Sequence, residues 1–140
     1  METTAKNTSK ALNISLWIAQ LILAAMFIMA GLPKITTPIQ ELAASNEIPE
    51  ALVRFIGIAE LLGAAGLLLP GILNIKPVLT SYAALGLFTI MVLAFLYHIS
   101  KGEYAGAGIT VALGLLAAFV AWGRFIKAPA SSKAISHVSN

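Results

Sequence analysis

The sequence predicts an all-α protein: an antiparallel four-helix transmembrane bundle with a short interfacial helix between helices 1 and 2. Three observations predict it. Hydrophobic residues make up 59% of the chain and charged residues 11%, against roughly 45–50% and 25% in ordinary soluble domains. Four apolar runs of about 20 residues follow one another, each long enough to cross ~30 Å of hydrocarbon as a helix. Most links between the runs are short, which sets neighbouring helices antiparallel. Strands are excluded because no segment alternates with period two and the runs are too long.

Residues 1–11 are polar, carry Lys6 and Lys10, and are expected to form a disordered tail. The first run, Leu12 to Leu32, begins like a signal peptide. It is longer than the usual apolar region of about 7–15 residues and has no clean small-x-small cleavage site, so a retained anchor is expected. Gly31 and Pro33 should end it. In the loop over 33–50, Thr37-Pro38-Ile39-Gln40 supplies a cap, a first-turn proline and a glutamine three residues after the cap. A short interfacial helix from Pro38 to Ala44 follows, with Ile39, Leu42 and Ala43 on one face.

The second run, Ala51 to Leu69, should close at Pro70-Gly71. The third covers Val78 to His98 and the fourth Tyr104 to Trp122. The transmembrane domain therefore spans 12–126, and a second disordered tail, 127–140, follows it. Trp17, Tyr82, Tyr97, Tyr104 and Trp122 lie near run ends, where amphipathic rings favour the interface. Gly106, Thr110, Gly114 and Ala118 repeat every four residues, and Ala59 and Gly63 share that spacing. Small residues so placed let helices approach closely in lipid.

The formal charge is +3, yet the basic residues are scattered at run ends. That pattern sets membrane topology and does not make a phosphate-binding stripe, so a nucleic-acid partner is not expected. Lys6, Lys10, Lys76, Arg124, Lys127 and Lys133 fall on one side, and Lys34, Arg54 and Lys101 on the other. The richer side should be cytoplasmic, giving a multi-pass cell-membrane protein with both termini inside. There are no cysteines, which excludes disulfides, a dithiol relay and thiolate metal sites. The two histidines lack ligand spacing, so neither zinc nor a bis-histidine haem is expected. No glycine-rich nucleotide loop and no nucleophile–base–orienter set appears.

Polar residues at depth supply the candidate site. Glu60 stands in the middle of the second run, where a charge costs roughly 2.5–3.5 kcal/mol on insertion scales. Gln20 sits at nearly the same depth when each is counted from its run ends, so a Gln20–Glu60 hydrogen bond is expected. Without a cation or water the carboxyl would favour its neutral form. Lys34, Arg54 and His98 gather at the opposite ends of the runs from the termini. They either form a polar mouth above Glu60 or satisfy local needs, with Arg54 snorkelling to Glu50 four residues away. His98 alone reads as an interfacial histidine, and His137 has no assigned role.

Gly31-Leu32-Pro33-Lys34, Ile56-Gly57-Ile58-Ala59-Glu60-Leu61-Leu62-Gly63 and Leu67-Leu68-Leu69-Pro70-Gly71, with a histidine near the end of helix three, resemble the DoxX-like membrane proteins. The resemblance spans about Leu12 to Trp122 and is most specific in helix two. It implies a four-helix membrane bundle, with some relatives serving as small subunits of quinol- or thiosulfate-linked oxidoreductases, and places weight on Lys34, Arg54, Glu60 and His98. Relatives that handle thiols through cysteines are a poor guide, since this chain has none. Two functions are expected from this. One is an accessory or quinone-interacting component of a membrane redox system, with no cofactor of its own and electrons from an oxidoreductase subunit. The other is a non-catalytic partner-binding or assembly factor. A homo-oligomer fits either, and a transporter would require one.

Overall fold

The computed structural model describes residues 2–45 and 47–127. Among them four long helices and a short one appear, and no strand. They are α1 (Glu2–Thr36), α2 (Ile39–Ser45), α3 (Glu50–Leu73), α4 (Val78–Lys101) and α5 (Tyr104–Trp122), the last running into a π-helical turn at Gly123–Lys127. The long helices form a closed ring in which α1 packs on α3 and α5, and α4 on the same two. The segments Lys10–Thr36, Glu50–Leu73, Val78–Lys101 and Tyr104–Ile126 are each long and apolar enough to cross a membrane. The expected short helix lies between the first two, one residue later than expected at each end.

Helical spacing builds the core. Leu16, Leu23 and Phe27 of α1 meet Ala64 and Leu67 of α3, Ala84, Leu87 and Met91 of α4, and Ala117 and Val120 of α5, all buried. The opposite faces are also apolar: Met29, Phe55, Leu62, Leu93 and Leu115 are each more than 60% exposed. A soluble monomer rarely exposes so much contiguous apolar surface. Acyl chains are its natural cover.

Several helix ends depart from expectation. The helix α1 begins at Glu2, so residues 2–11, expected as a tail, continue it. Lys6, Lys10, Ala5 and Ala11 are good helix formers, and extending an existing helix avoids the cost of nucleation. The expected tail over 128–140 lies outside the described residues. Pro33 and Pro70 were expected to stop their helices, yet α1 runs on to Thr36 and α3 to Leu73. Proline is tolerated in membrane helices where neighbouring groups support the backbone around it, and each of these prolines has a side-chain hydrogen bond to a carbonyl in its own preceding turn. The carbonyl three residues before Pro33, on Ala30, accepts from Lys34 at 3.1 Å. The carbonyl three residues before Pro70, on Leu67, accepts from Gln20 at 2.5 Å. Asn74 then closes α3 in the left-handed region at φ 53°, a conformation asparagine tolerates better than most residues.

The tightest crossing joins α1 to α3. A Cβ added to Gly31 would lie 2.9 Å from the Gly57 carbonyl oxygen, and one on Gly57 would lie 2.7 Å from Lys34 Cβ. The two backbones meet here because neither position carries a side chain. In α2, Leu42 alone of the expected apolar face is buried; Ile39 and Ala43 are exposed.

Candidate functional site

The glycine crossing positions the site. Glu60 packs over Gly31 and Lys34 over Gly57, so the close approach of the backbones lets the lysine stem reach back along α1 to the carboxyl. Lys34 Nζ donates to Glu60 Oε2 at 2.7 Å. The pair is asymmetric, with a side-chain exposure of 31% for Lys34 and 4% for Glu60. The acid is fixed inside, and the base reaches it from the rim. Lys34 therefore supplies the cation that the buried carboxyl requires, which the expected Gln20 contact would not have done.

Arg54 pairs with Glu50, four residues before it, and takes a further role that the sequence did not suggest. Its Nε lies 3.5 Å from Glu50 Oε1. Its Nη1 donates to the Lys34 carbonyl at 3.1 Å and its Nη2 to the Thr37 carbonyl at 2.7 Å. Carbonyls at a helix C-terminus lack intrahelical partners, so Arg54 caps α1 and fixes the backbone from which Lys34 extends.

His98 does not join this group. Its Nδ1 lies 2.6 Å from Glu103 Oε2 across the α4–α5 turn, and its ring rests against Gly106, leaving no room for a Cβ there. Gly102 makes that turn with φ 74°, a value glycine adopts without strain. Nearby, Lys101 donates to Glu47, tying the α2–α3 loop to the end of α4. The hydrogen bond and charge of Lys101 hold the Glu47 carboxyl below its ordinary pKa.

The expected Gln20–Glu60 bond is absent. With Gly31 opposite Gly57, antiparallel register sets Gln20 opposite Leu67, seven residues or about 10 Å along α3 from Glu60. Gln20 Oε1 instead accepts from Arg124 Nε at 2.6 Å, and Arg124 Nη1 donates to Asn13 Oδ1 at 2.7 Å. The guanidinium lies 5.4 Å from the Trp17 ring centroid, a cation–π distance. Sequence reasoning took Arg124 for a topology signal and missed this role. A signal was present: Ala117, Val120, Ala121 and Arg124 continue one helical stripe into the core. Thr80 and Ser81 are also fully buried, and neither hydroxyl has a hydrogen-bond partner among the described residues.

No group of three or more potential metal-binding side chains occurs among the described residues. A groove of about 520 Å³ runs between α3 and α4, lined by apolar and small residues such as Gly63, Gly66, Leu69, Ala83 and Gly86. It lies on another face of α3 from the Lys34–Glu60 contact.

Fold and site together define a multi-pass membrane protein, a helical bundle in which buried Glu60 is paired with half-buried Lys34. Within that class, the chain belongs to the DoxX-like family, whose profile matches residues 18–120. Neither the curated proteins nor the solved structures compared with it contain a match. Gln20, Lys34, Arg54, Glu60 and His98 fall inside the matched region, and Arg124 lies beyond it.

Proposed function

We propose that the protein is an accessory, quinone-interacting component of a membrane redox system, with Lys34 and Glu60 as its polar site. One observation carries the reading: a deeply buried carboxylate 2.7 Å from an ammonium that reaches the rim. Replacing a buried ion pair with apolar side chains is often neutral or stabilising. A pair kept at this depth therefore suits chemistry better than stability.

The two groups fit a quinone head. Lys34 would donate to a ring oxygen, and Glu60 would accept from a ring hydroxyl or exchange its proton. When bound, a quinone supplies two-electron, two-proton redox chemistry, and a partner oxidoreductase supplies the electrons. Arg54 acts through Lys34, holding the end of α1 in place. Leu23, Phe27, Leu67 and Leu87 are at most 1% exposed and fill the interior from the level of Glu60 towards the termini. Apolar side chains narrow that path, so on this reading Glu60 exchanges protons through the Lys34 end. With the topology read from the lysines and arginines, that end faces outward.

Mass spectrometry of lipid extracts from the purified protein tests the reading. A quinone travelling with the wild type, and quinone-dependent flux in cells reduced by Glu60→Gln, are the expected results. If no quinone accompanies the protein and flux is unchanged, the reading fails. A protein that co-purifies and is lost on substitution of the 38–49 loop would then establish the assembly-factor alternative.

A further inference from the structure

We propose that Glu60 and the proline-loosened end of α1 form an exchangeable cation site whose resident occupant is the ammonium of Lys34. The Lys34 nitrogen has two oxygen partners, Glu60 Oε2 at 2.7 Å and the Ala30 carbonyl at 3.1 Å. A carboxylate and a main-chain carbonyl are hard oxygen donors, the kind that binds small monovalent cations at broken membrane helices. Both belong to the scaffold and not to the lysine. Pro33 removes the main-chain donor to the Met29 carbonyl, next to Ala30, and the negative end of the α1 dipole lies at the same place.

The occupant is held less firmly than its site. The Glu60 side chain is 4% exposed and cannot follow a cation outward, whereas that of Lys34 is 31% exposed on a flexible stem. Long basic side chains near helix ends readily extend to the interface. When Lys34 does so, the same oxygens face a deficit of positive charge that a free sodium or ammonium ion can fill. The site takes a small monovalent cation, and it stands whether or not a quinone binds.

Thermal unfolding of the purified Lys34→Ala protein in detergent tests this, with ammonium or sodium chloride against choline chloride at equal ionic strength. The unfolding midpoint should climb and saturate with ammonium or sodium. Choline should have no such effect, and the Lys34→Ala/Glu60→Gln protein should not respond. Ammonium alone succeeding would show that N–H donors are required; sodium alone would show a metal-ion site. A second measurement keeps the test open if Lys34→Ala does not fold. In the wild type at fixed pH, acylation of Lys34 relative to Lys10 should rise at least twofold as sodium replaces choline. The proposal is overturned if neither cation exceeds choline in either assay, or if the double variant responds as strongly as the single one.

Discussion

Alanine at Gly57 should destabilise the bundle while alanine at Gly86 should not, and the difference isolates the helix crossing that builds the site. An added Cβ at Gly57 would lie 2.7 Å from Lys34 Cβ and 3.0 Å from the Gly31 carbonyl oxygen. Neither atom is the free end of a flexible side chain, so the two helices must separate. At Gly86 nothing lies within 4 Å. Both substitutions gain roughly 0.8–1.0 kcal/mol of helix propensity, which cancels between them. What remains is the overpacking cost, about 1–3 kcal/mol, at Gly57 alone. Gly63→Ala meets the Leu87 side chain at 2.5 Å and should fall between the two. Equilibrium unfolding in mixed micelles, followed by far-ultraviolet circular dichroism, measures the series. Equal stability of the Gly57 and Gly86 variants would refute the claim that backbone contact sets the α1–α3 register.

Removing one member of the Lys34–Glu60 pair should cost up to about 3–5 kcal/mol, less to the extent that Lys34 is wetted, because it strands a buried charge. Lys34→Met/Glu60→Gln should recover much of the loss, and a double-mutant cycle showing simple additivity would contradict the contact. Arg124→Lys should lower the unfolding midpoint, since one ammonium does not reproduce the fork that bonds Gln20 and Asn13 from separate nitrogens; full stability of that variant would count against the fork. Thr80→Val replaces a buried hydroxyl without a hydrogen-bond partner by a methyl of similar shape. It should be neutral or stabilising by about 1–3 kcal/mol, and a clear loss would mean that the hydroxyl is bonded. The Glu47–Lys101 tie carries a sign in pH. The Glu47 pKa is lowered by folding, so its contribution is present above the unfolded-state value and lost as pH falls through the folded one. Limited proteolysis of the α2–α3 loop should therefore increase in acid, and Glu47→Gln should show the acid pattern already at neutral pH.

The spans were legible because lipid imposes a simple demand: about 20 apolar residues, four times, between short links. Their ends were less so. Pro33 and Pro70 read as stops by the rules of helices in water, where no neighbour takes the carbonyls they release. Here Lys34 and Gln20 bond carbonyls in the same turns, Lys34 locally within α1 and Gln20 across to α3, and the second contact is tertiary. The site was half legible for the same reason. Glu60 announced itself by depth, Lys34 by its place at the end of α1 and Arg54 by its place near the start of α3. The partnership was misjudged because depth was counted from run ends, whereas the Gly31–Gly57 contact sets the true register. His98 shared an end of the bundle with the others but faced its own turn, a matter of azimuth that run lengths do not encode. Arg124 was hidden by the π-helical turn, which begins where the apolar run ends.

The ion pair also bears on how the chain enters its membrane. Lys34 and Glu60 are 26 residues apart, so at a synthesis rate of about 5–20 residues per second the acid follows the base within roughly one to five seconds. Until then the first helix ends in an unmatched ammonium that keeps to the head-group region, and the second helix, arriving with its carboxyl, carries the counterion. The first two helices are thus best inserted as one hairpin, its charge neutralised as it forms, with Arg54 closing the connection behind them.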